Sequence, residues 1–592
     1  MATVALASTV DVWVDYKTGI PRRTIPRENI KRFLMRAALF ILLGLTVASG
    51  PAFAVSVDEP RGVVVAVCPA EFRRALAPWV SHRKDQGYDV RVVSNTGTPE
   101  EIRRRIRQSA PAERLKFLVL VGDIPTGMDG KPAKSAARSR CVPAPYADAK
   151  VNIHWGSEPI IPNDAWYADL DDDGVPELAE GRLTADTPEE LKQIVDKILA
   201  YERSTDFGSW RRQLNFVAGV GGFGALADMA IDSAARYLLT KGIPADYRVW
   251  MTQANWRAVY CPDPRNINQA TIDRLNDGAV FWTYIGHGNP QRLGYMHVPG
   301  KRYSLLATRD VPRLDAQRGP SIALFLACYV GAIDNRSDCL AEEMLRQRGG
   351  PVAVVASSRV AMPYAMAVMG MGLMEQCFER RTATLGEALL QAKRTLVNPA
   401  KKSEVRTMLD TMASLVSPSA SKLEDERAEH VMLFNLIGDP CLRIRYPQPV
   451  TLLATPSESD PTKLIVEGRS PIAGRAVIEL VRPLGRLGFT PPRRSQYPKS
   501  PEALAEYELV YRSANDQRVG TIELRVAPGA FRTELELPND LAGTYQVHAF
   551  VEGKEDCASG WVDVRLGKSP EASESSGEKT VGQTMTRGKT TQ

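Results

Sequence analysis

The sequence predicts an α/β fold on a mostly parallel sheet flanked by helices, in two successive subdomains, with an all-β module behind it. Three observations carry this reading. Short apolar runs alternate with amphipathic stretches from Gly62 to Ala356, the pattern of strands buried on both faces and joined by crossover helices. Two of the apolar runs end in glycine-containing turns, one with a histidine and one with a cysteine. After Val450 the alternation gives way to short runs separated by turn residues, as in antiparallel β modules.

Taken in order, Gly62–Cys68 is the first predicted strand, Glu71–Lys84 a helix, Tyr88–Val93 a strand, Pro99–Gln108 a helix and Leu115–Val121 a strand. Each helix returns the chain so that the next strand runs parallel to the last. A loop-rich stretch covers about residues 125–162. A helix follows at Pro188–Glu202, with Thr187 as N-cap and Pro188 in the first turn, where its missing N–H costs no bond.

The second series begins with strand Leu214–Ala218, helix Ala225–Leu239, strand Tyr247–Met251 and helix Ala270–Asn276. It continues through strands Ala279–Ile285 and Ser321–Ala327, helix Asp338–Gln347 and strand Val352–Ala356. From Val450 to Leu566, Leu464–Val466, Ala476–Leu480, Tyr507–Tyr511, Thr521–Val526, Thr533–Leu537 and Tyr545–Val551 read as strands of an immunoglobulin-like β-sandwich. The tail from Gly567, rich in Ser, Glu, Lys, Thr and Gly, reads as disordered.

The expected organisation is an N-terminal extension with signal peptide at 1–54, an α/β subdomain at 55–205 and a larger α/β subdomain at 206–447. The β-sandwich then spans 448–566 and the tail 567–592. Lys31, Arg32 and Arg36 precede the apolar run Ala37–Val47, and Ala52-Phe53-Ala54 offers a small-x-small cleavage site. Cleavage is expected after Ala54, giving a secreted, periplasmic or cell-surface protein with no membrane span. The run is short for a span, and an N-terminal anchor is the rival reading. The residues ahead of Met35 are unusual for a leader, and Met35 offers an alternative start. A formal charge of +6 over 592 residues, with no basic stripe carrying aromatics, argues against nucleic-acid binding.

The turns carry the chemistry. Ala279–Ile285 leads into Gly286-His287-Gly288-Asn289, and Ser321–Ala327 leads into Cys328-Tyr329-Val330-Gly331. Ligands sit beyond the carboxyl ends of parallel strands, so one imidazole and one thiol reach the same working edge. A thiol beside an imidazole is the minimum for cysteine nucleophilic catalysis. Taken singly, each is more often a buried cysteine or a loop histidine. Gly286 and Gly288 allow a sharp turn and close substrate approach, and the Gly288 and Cys328 amides are candidate oxyanion donors.

At these residues the chain resembles the gingipain-type cysteine peptidases, peptidase family C25, which share the caspase-like fold. The resemblance extends over about residues 61–446. It includes Asn163-Asp164-Ala165-Trp166-Tyr167, Gly181-Arg182-Leu183, Cys339–Leu345, Gly350–Ser358, Leu385–Ala388 and Phe434–Pro440. It implies an exported cysteine endopeptidase acting on protein or peptide substrates, with Cys328 as nucleophile and His287 as acid–base. It also implies that Glu177, four positions before Gly181, orients the histidine. Family members often cleave after Arg or Lys, and Asp186, Glu189 and Glu190 are candidate acids for such a pocket; they equally suit a helix N-terminus. The alternatives are a surface sorting transpeptidase of the same fold, a non-enzymatic adhesin built on the sandwich, and a nucleotide-dependent oxidoreductase that rests only on the glycine turn after Ala218.

Asp169-x-Asp171-x-Asp173-Gly174 followed by Glu180 fits a calcium-loop spacing. The readings are a structural Ca²⁺ or cation-tolerant loop, which the resemblance favours, and a solvated acidic turn. Pro176 and the lack of flanking helices argue against an EF-hand. Glu177 could join this loop instead of the histidine. Gly219-x-Gly221-Gly222-x-Gly224 follows a strand, yet no acid ends the next strand as dinucleotide binding requires. It is read as a tight turn, and no organic cofactor is expected. Eight cysteines show no metal-ligand spacing. His82, His154, His297, His430 and His548 receive no chemistry.

Overall fold

A ten-stranded sheet runs through the centre of the α/β region of this computed structural model. The structure describes residues 61–128, 138–219, 221, 242–398, 404–416, 420–539 and 541–567. The chain divides into two units, Met1–Glu59 and Pro60–Gln592, and the described residues lie in the second. The leader-like segment, the predicted Ala225–Leu239 helix and the tail beyond Gly567 lie outside the described residues.

The strands are β1 (Val63–Val67), β2 (Asp89–Val93), β3 (Leu115–Val121), β4 (Ala179–Leu183), β5 (Gln213–Ala218), β6 (Arg248–Gln253), β7 (Phe281–Ile285), β8 (Ile322–Leu326), β9 (Ala353–Ser357) and β10 (Phe434–Ile437). Their order is β2-β1-β3-β4-β10-β9-β8-β7-β5-β6. Central strands such as Val-Val-Val-Ala-Val in β1 and Ile-Ala-Leu-Phe-Leu in β8 are buried at every position. Burial on both faces leaves no polar alternation to preserve.

One junction breaks the parallel pattern. β10 pairs antiparallel with β9, from Val354–Ile437 to Ser357–Phe434, yet parallel with β4. The two α/β series therefore share one continuous sheet but run in opposite directions. The carboxyl ends of β7 and β8 lie on the same edge as the amino end of β4.

Among the described residues, the α-helices longer than one turn are α1 (Arg73–Asp85), α2 (Pro99–Gln108), α3 (Pro188–Arg203), α4 (Ile267–Asn276), α5 (Leu340–Arg346), α6 (Pro363–Met374), α7 (Leu385–Val397), α8 (Glu404–Val416), α9 (Leu423–Leu433) and α10 (Pro501–Asn515). Capping boxes Thr98/Glu101 and Thr187/Glu190 start α2 and α3. Each satisfies otherwise orphaned backbone groups. Among the described residues, no helix is long and apolar enough to cross a membrane. The eight cysteines form no disulfide.

The turn after β10 closes this region. Asp439 is fully buried. It accepts from Trp79 Nε1 and Arg83 Nη2, each at 2.5 Å, and from the Cys441 N–H at 2.9 Å. Arg83 also holds Glu202 at 2.8 Å, so α1 and α3 are tied to the end of β10.

The C-terminal region forms a five-stranded sheet, in the order Gln448–Pro449, Cys557–Leu566, Gly543–Glu552, Gly474–Val481, Arg518–Val526. A three-stranded sheet of Thr451–Pro456, Lys463–Ser470 and Gly529–Glu536 accompanies it. Leu464 and Val466 from the smaller sheet share a core with Ile478, Leu480, Val547 and Ala549 from the larger.

Tyr507–Tyr511 is not a strand but the middle of α10. Ser500 caps that helix by accepting from Ala503 N–H at 3.2 Å, and Pro501 occupies its first turn. The helix docks on edge strand β6. Tyr511 Oη bonds Trp250 Nε1 at 2.6 Å and Thr252 Oγ1 at 2.7 Å. The Asn515 amide accepts from the Met251 N–H at 2.7 Å and donates to its carbonyl at 3.0 Å. The side chain thus satisfies edge groups that would otherwise await another strand.

Candidate active site

β7 and β8 are neighbours in register, with Ile285 opposite Leu326. The Gly286 N–H donates to Leu326 O at 3.2 Å, so both turns leave the sheet at the same level. A Cβ on Gly288 would stand 2.6 Å from the Cys328 carbonyl oxygen and 2.8 Å from Val330 Cγ2. The His287 turn therefore packs backbone-on-backbone against the Cys328 turn, and only glycine allows it. Gly286 has φ +155°, and a Cβ there would meet Tyr284 Oη at 2.7 Å. That hydroxyl donates to the His287 carbonyl at 2.8 Å, and the Gly294 N–H donates to the same oxygen at 2.8 Å. His287 itself is exposed and Cys328 half-buried.

Gly219 completes the corner. Its N–H donates to Ile285 O at 2.7 Å, and a Cβ there would meet Tyr284 Oη at 2.6 Å. This glycine serves close backbone approach to the His287 turn. Gly222 and Gly224 lie outside the described residues.

Cys328 Sγ accepts from the Ala361 N–H at 3.4 Å. Burial pushes the thiol up from its ordinary range, against the opposing pull of that N–H. Tyr329 takes φ +61°, a left-handed conformation costly for a bulky residue. The turn is held there from several directions. The Tyr329 N–H donates to Arg359 O at 3.1 Å, and its hydroxyl bonds Glu158 at 2.9 Å. Arg359, fully buried, grips Asp334 with both arms at 2.8 and 2.6 Å.

The segment after Arg359 is held by groups that sequence reasoning passed over. The Met362 N–H donates to His430 Nε2 at 3.0 Å, while His430 Nδ1 meets Glu426 O at 2.6 Å. Burial lowers this imidazole to about 4, so it stays neutral and can accept. Asn152 Nδ2 donates to Val360 O at 3.4 Å. Nothing local in the sequence marks His430, because its partner lies 68 residues away.

The acidic residues sort differently from their spacing. Ligand oxygens of Asp169, Asp171 and Glu177 lie within 4.8 Å of one another. Asp173 is exposed and accepts from the Val175 N–H at 2.8 Å. Glu180 belongs to β4 and makes a buried ion pair with Lys393, away from the loop oxygens. Glu177 accepts from the Leu170 N–H at 2.6 Å and lies 3.9 Å from Arg394. Burial, then the Asp171, Asp169 and Asp173 carboxylates, push it up.

Glu177, the residue expected to orient His287, makes its hydrogen bond within its own loop. The strand that follows Glu177, β4, is four places from β7 in the sheet, on the order of 19 Å at the usual strand spacing. Asp186, Glu189 and Glu190 follow the carboxyl end of β4, on the edge opposite Cys328. Asp186 lies 3.3 Å from Arg346, and Glu190 caps α3.

Residues 58–445 match the sequence profile of peptidase family C25. The chain belongs to that family. Lys-gingipain of Porphyromonas gingivalis is 23% identical over 311 residues, covering 50% of this chain and 15% of that protein. Gingipain R2 of the same organism is 22% identical over 382 residues, covering 61% of this chain and 46% of its own length. The chain thus spans less than half of the curated relatives it matches. The crystal structure of the Arg-specific cysteine proteinase gingipain R overlays with a TM-score of 0.47 at 16% identity, covering 87% of this chain and 99% of that one.

Proposed function

We propose that this C25 protein is an exported cysteine endopeptidase that hydrolyses peptide bonds through Cys328 and His287. The observation that carries it is the backbone contact between the Gly288 and Cys328 turns at the adjoining ends of β7 and β8. In this reading the substrate carbonyl lies over Cys328 with its oxygen toward the Gly288 and Cys328 N–H groups. Sγ attacks as its proton passes to His287, which then protonates the leaving amine. His287 next takes a proton from water, and the hydroxide displaces the thiol from the acyl-enzyme. Burial of Cys328 supports a resting thiol rather than a preformed thiolate. The test is a peptide-library digest by the purified chain beside Cys328→Ala, with cleavage by the first alone.

The same reading takes the sheet as caspase-like, the C-terminal pair of sheets as an immunoglobulin-like sandwich, and the boundaries near 205, 447 and 566 as subdomain limits. The basic and apolar segment 31–54 supports export. Asp169, Asp171 and Glu177 fit a hard, oxygen-seeking cation that would offset their mutual repulsion. Ca²⁺ held there would act structurally. At calcium about a hundredfold above its dissociation constant the gain is about 2.7 kcal/mol. Thermal unfolding should therefore rise by a few degrees with Ca²⁺ over EDTA, and Asp171→Asn should remove most of the rise. An identical melting curve in both conditions would exclude the cation.

A further inference from the structure

Beyond His287 the surface opens into a groove of about 350 Å³ lined by His287, Gly288, Asn289, Arg292, Tyr295 and His297, among others. Its outer wall is a hairpin, Tyr295–Val298 paired with Lys301–Ser304. Alternation buries Met296 and Val298 and turns Tyr295 and His297 outward, with Arg302 directly opposite His297. Arg292 and Arg302 both stack on the Tyr295 ring, 4.7 and 4.5 Å from its centroid. Two guanidinium groups gathered on one phenol ring repel each other, and the ring offsets only part of that repulsion. Among the described residues, no carboxylate pairs with either arginine. Such a wall is electrostatically incomplete until an anion enters.

The chemistry at His287 fixes which part of a substrate enters. This imidazole must reach the leaving nitrogen to protonate it. The chain on the leaving side of the scissile bond therefore passes His287 into the groove. We propose that the groove is a leaving-side subsite selecting an acidic side chain, Asp or Glu, whose carboxylate is bound by Arg292 and Arg302. The inference rests on the peptidase reading above. Arginine suits it because a planar fork binds carboxylate bidentately while its face remains on the aromatic ring.

The test uses the full chain and quenched peptides sharing one cleavable bond found in the library digest, each made both C-terminally amidated and as the free acid. Glu replaces Gln at each of the first three leaving-side positions. At one position Glu should raise kcat/KM at least about fivefold, the scale of two partly exposed charge pairs. The preference should shrink as salt rises from about 50 to about 500 mM. It should fall to near unity in Arg292→Gln/Arg302→Gln and return in part with Arg302→Lys. A wild-type ratio near one at every position, or a preference unchanged in the glutamine variant, overturns the subsite. A preference for free-acid over amidated peptides, without one for Glu, assigns the groove to a terminal carboxylate and overturns it too. A peptidyl coumarin amide, which has no leaving-side residues, separates the two failures. Its cleavage without any Glu preference removes the subsite alone, and no cleavage of any substrate removes the peptidase reading as well.

Discussion

Cys328→Ala should lower peptide turnover by at least about 10⁴-fold, the scale seen when a covalent nucleophile is deleted. The fold should survive. The lost thiol is half-buried and makes only weak bonds to Ala361, accepting from its N–H at 3.4 Å and donating to its carbonyl at 3.8 Å, so the stability cost should be about 1 kcal/mol. The elements that hold the turn do not use sulfur: the Tyr329 N–H on Arg359 O and the Arg359–Asp334 pair remain. His287→Ala should reduce kcat/KM by about 10²–10⁴-fold, the usual range for losing general acid–base help. Steady-state hydrolysis of one cleavable peptide by the three proteins reads both effects. Full activity in Cys328→Ala would remove the thiol from the mechanism.

Asp439→Ala should destabilise the protein by about 3–5 kcal/mol, the cost of breaking a buried charge pair from one side. The aspartate accepts from Trp79, from Arg83 and from the Cys441 N–H, all without access to water. Its removal leaves the indole N–H unpaired and one arm of Arg83 without its carboxylate. Glu202 still holds the other arm at 2.8 Å, which keeps the loss from being larger. Asp439→Asn should fall between the two, because an amide oxygen can still accept. Equilibrium urea unfolding measures the difference. A midpoint within about 0.5 kcal/mol of the wild type, the range of an ordinary surface change, would show that the clamp is not needed.

Much of this architecture is legible in the chain because fully buried strands write themselves as unbroken apolar runs. Pro99–Gln108 and Leu115–Val121 emerge with the same ends from sequence and structure. The His287 and Cys328 turns are legible for the same reason, since each follows such a run. Strand direction is not written locally. Phe434–Ile437 has only four residues, and its antiparallel pairing with β9 depends on the path of the whole chain. α10 was hidden by aromatic residues that suit either period, although Ser500-Pro501-Glu502 is a sound helix start. The acidic loop shows the limit of spacing alone. Glu180 has the separation a calcium loop requires, but β4 begins at Ala179, and the strand carries that side chain to Lys393. Glu177, one turn of chain earlier, takes the place beside Asp169 and Asp171. The supports of the nucleophile, Arg359–Asp334 and His430–Met362, join distant segments and leave no local signature.

The most direct measurement of the central claim is intact-protein and peptide mass spectrometry after limited treatment with a peptidyl electrophile. One adduct per chain is expected, on Cys328, since the other seven cysteines are buried. Its rate of formation should keep climbing above the pH range in which an ordinary thiol ionises, because burial pushes the Cys328 thiol up. A label spread over several cysteines, or a Cys328 that stays unmodified while the protein still cleaves peptides, would contradict it.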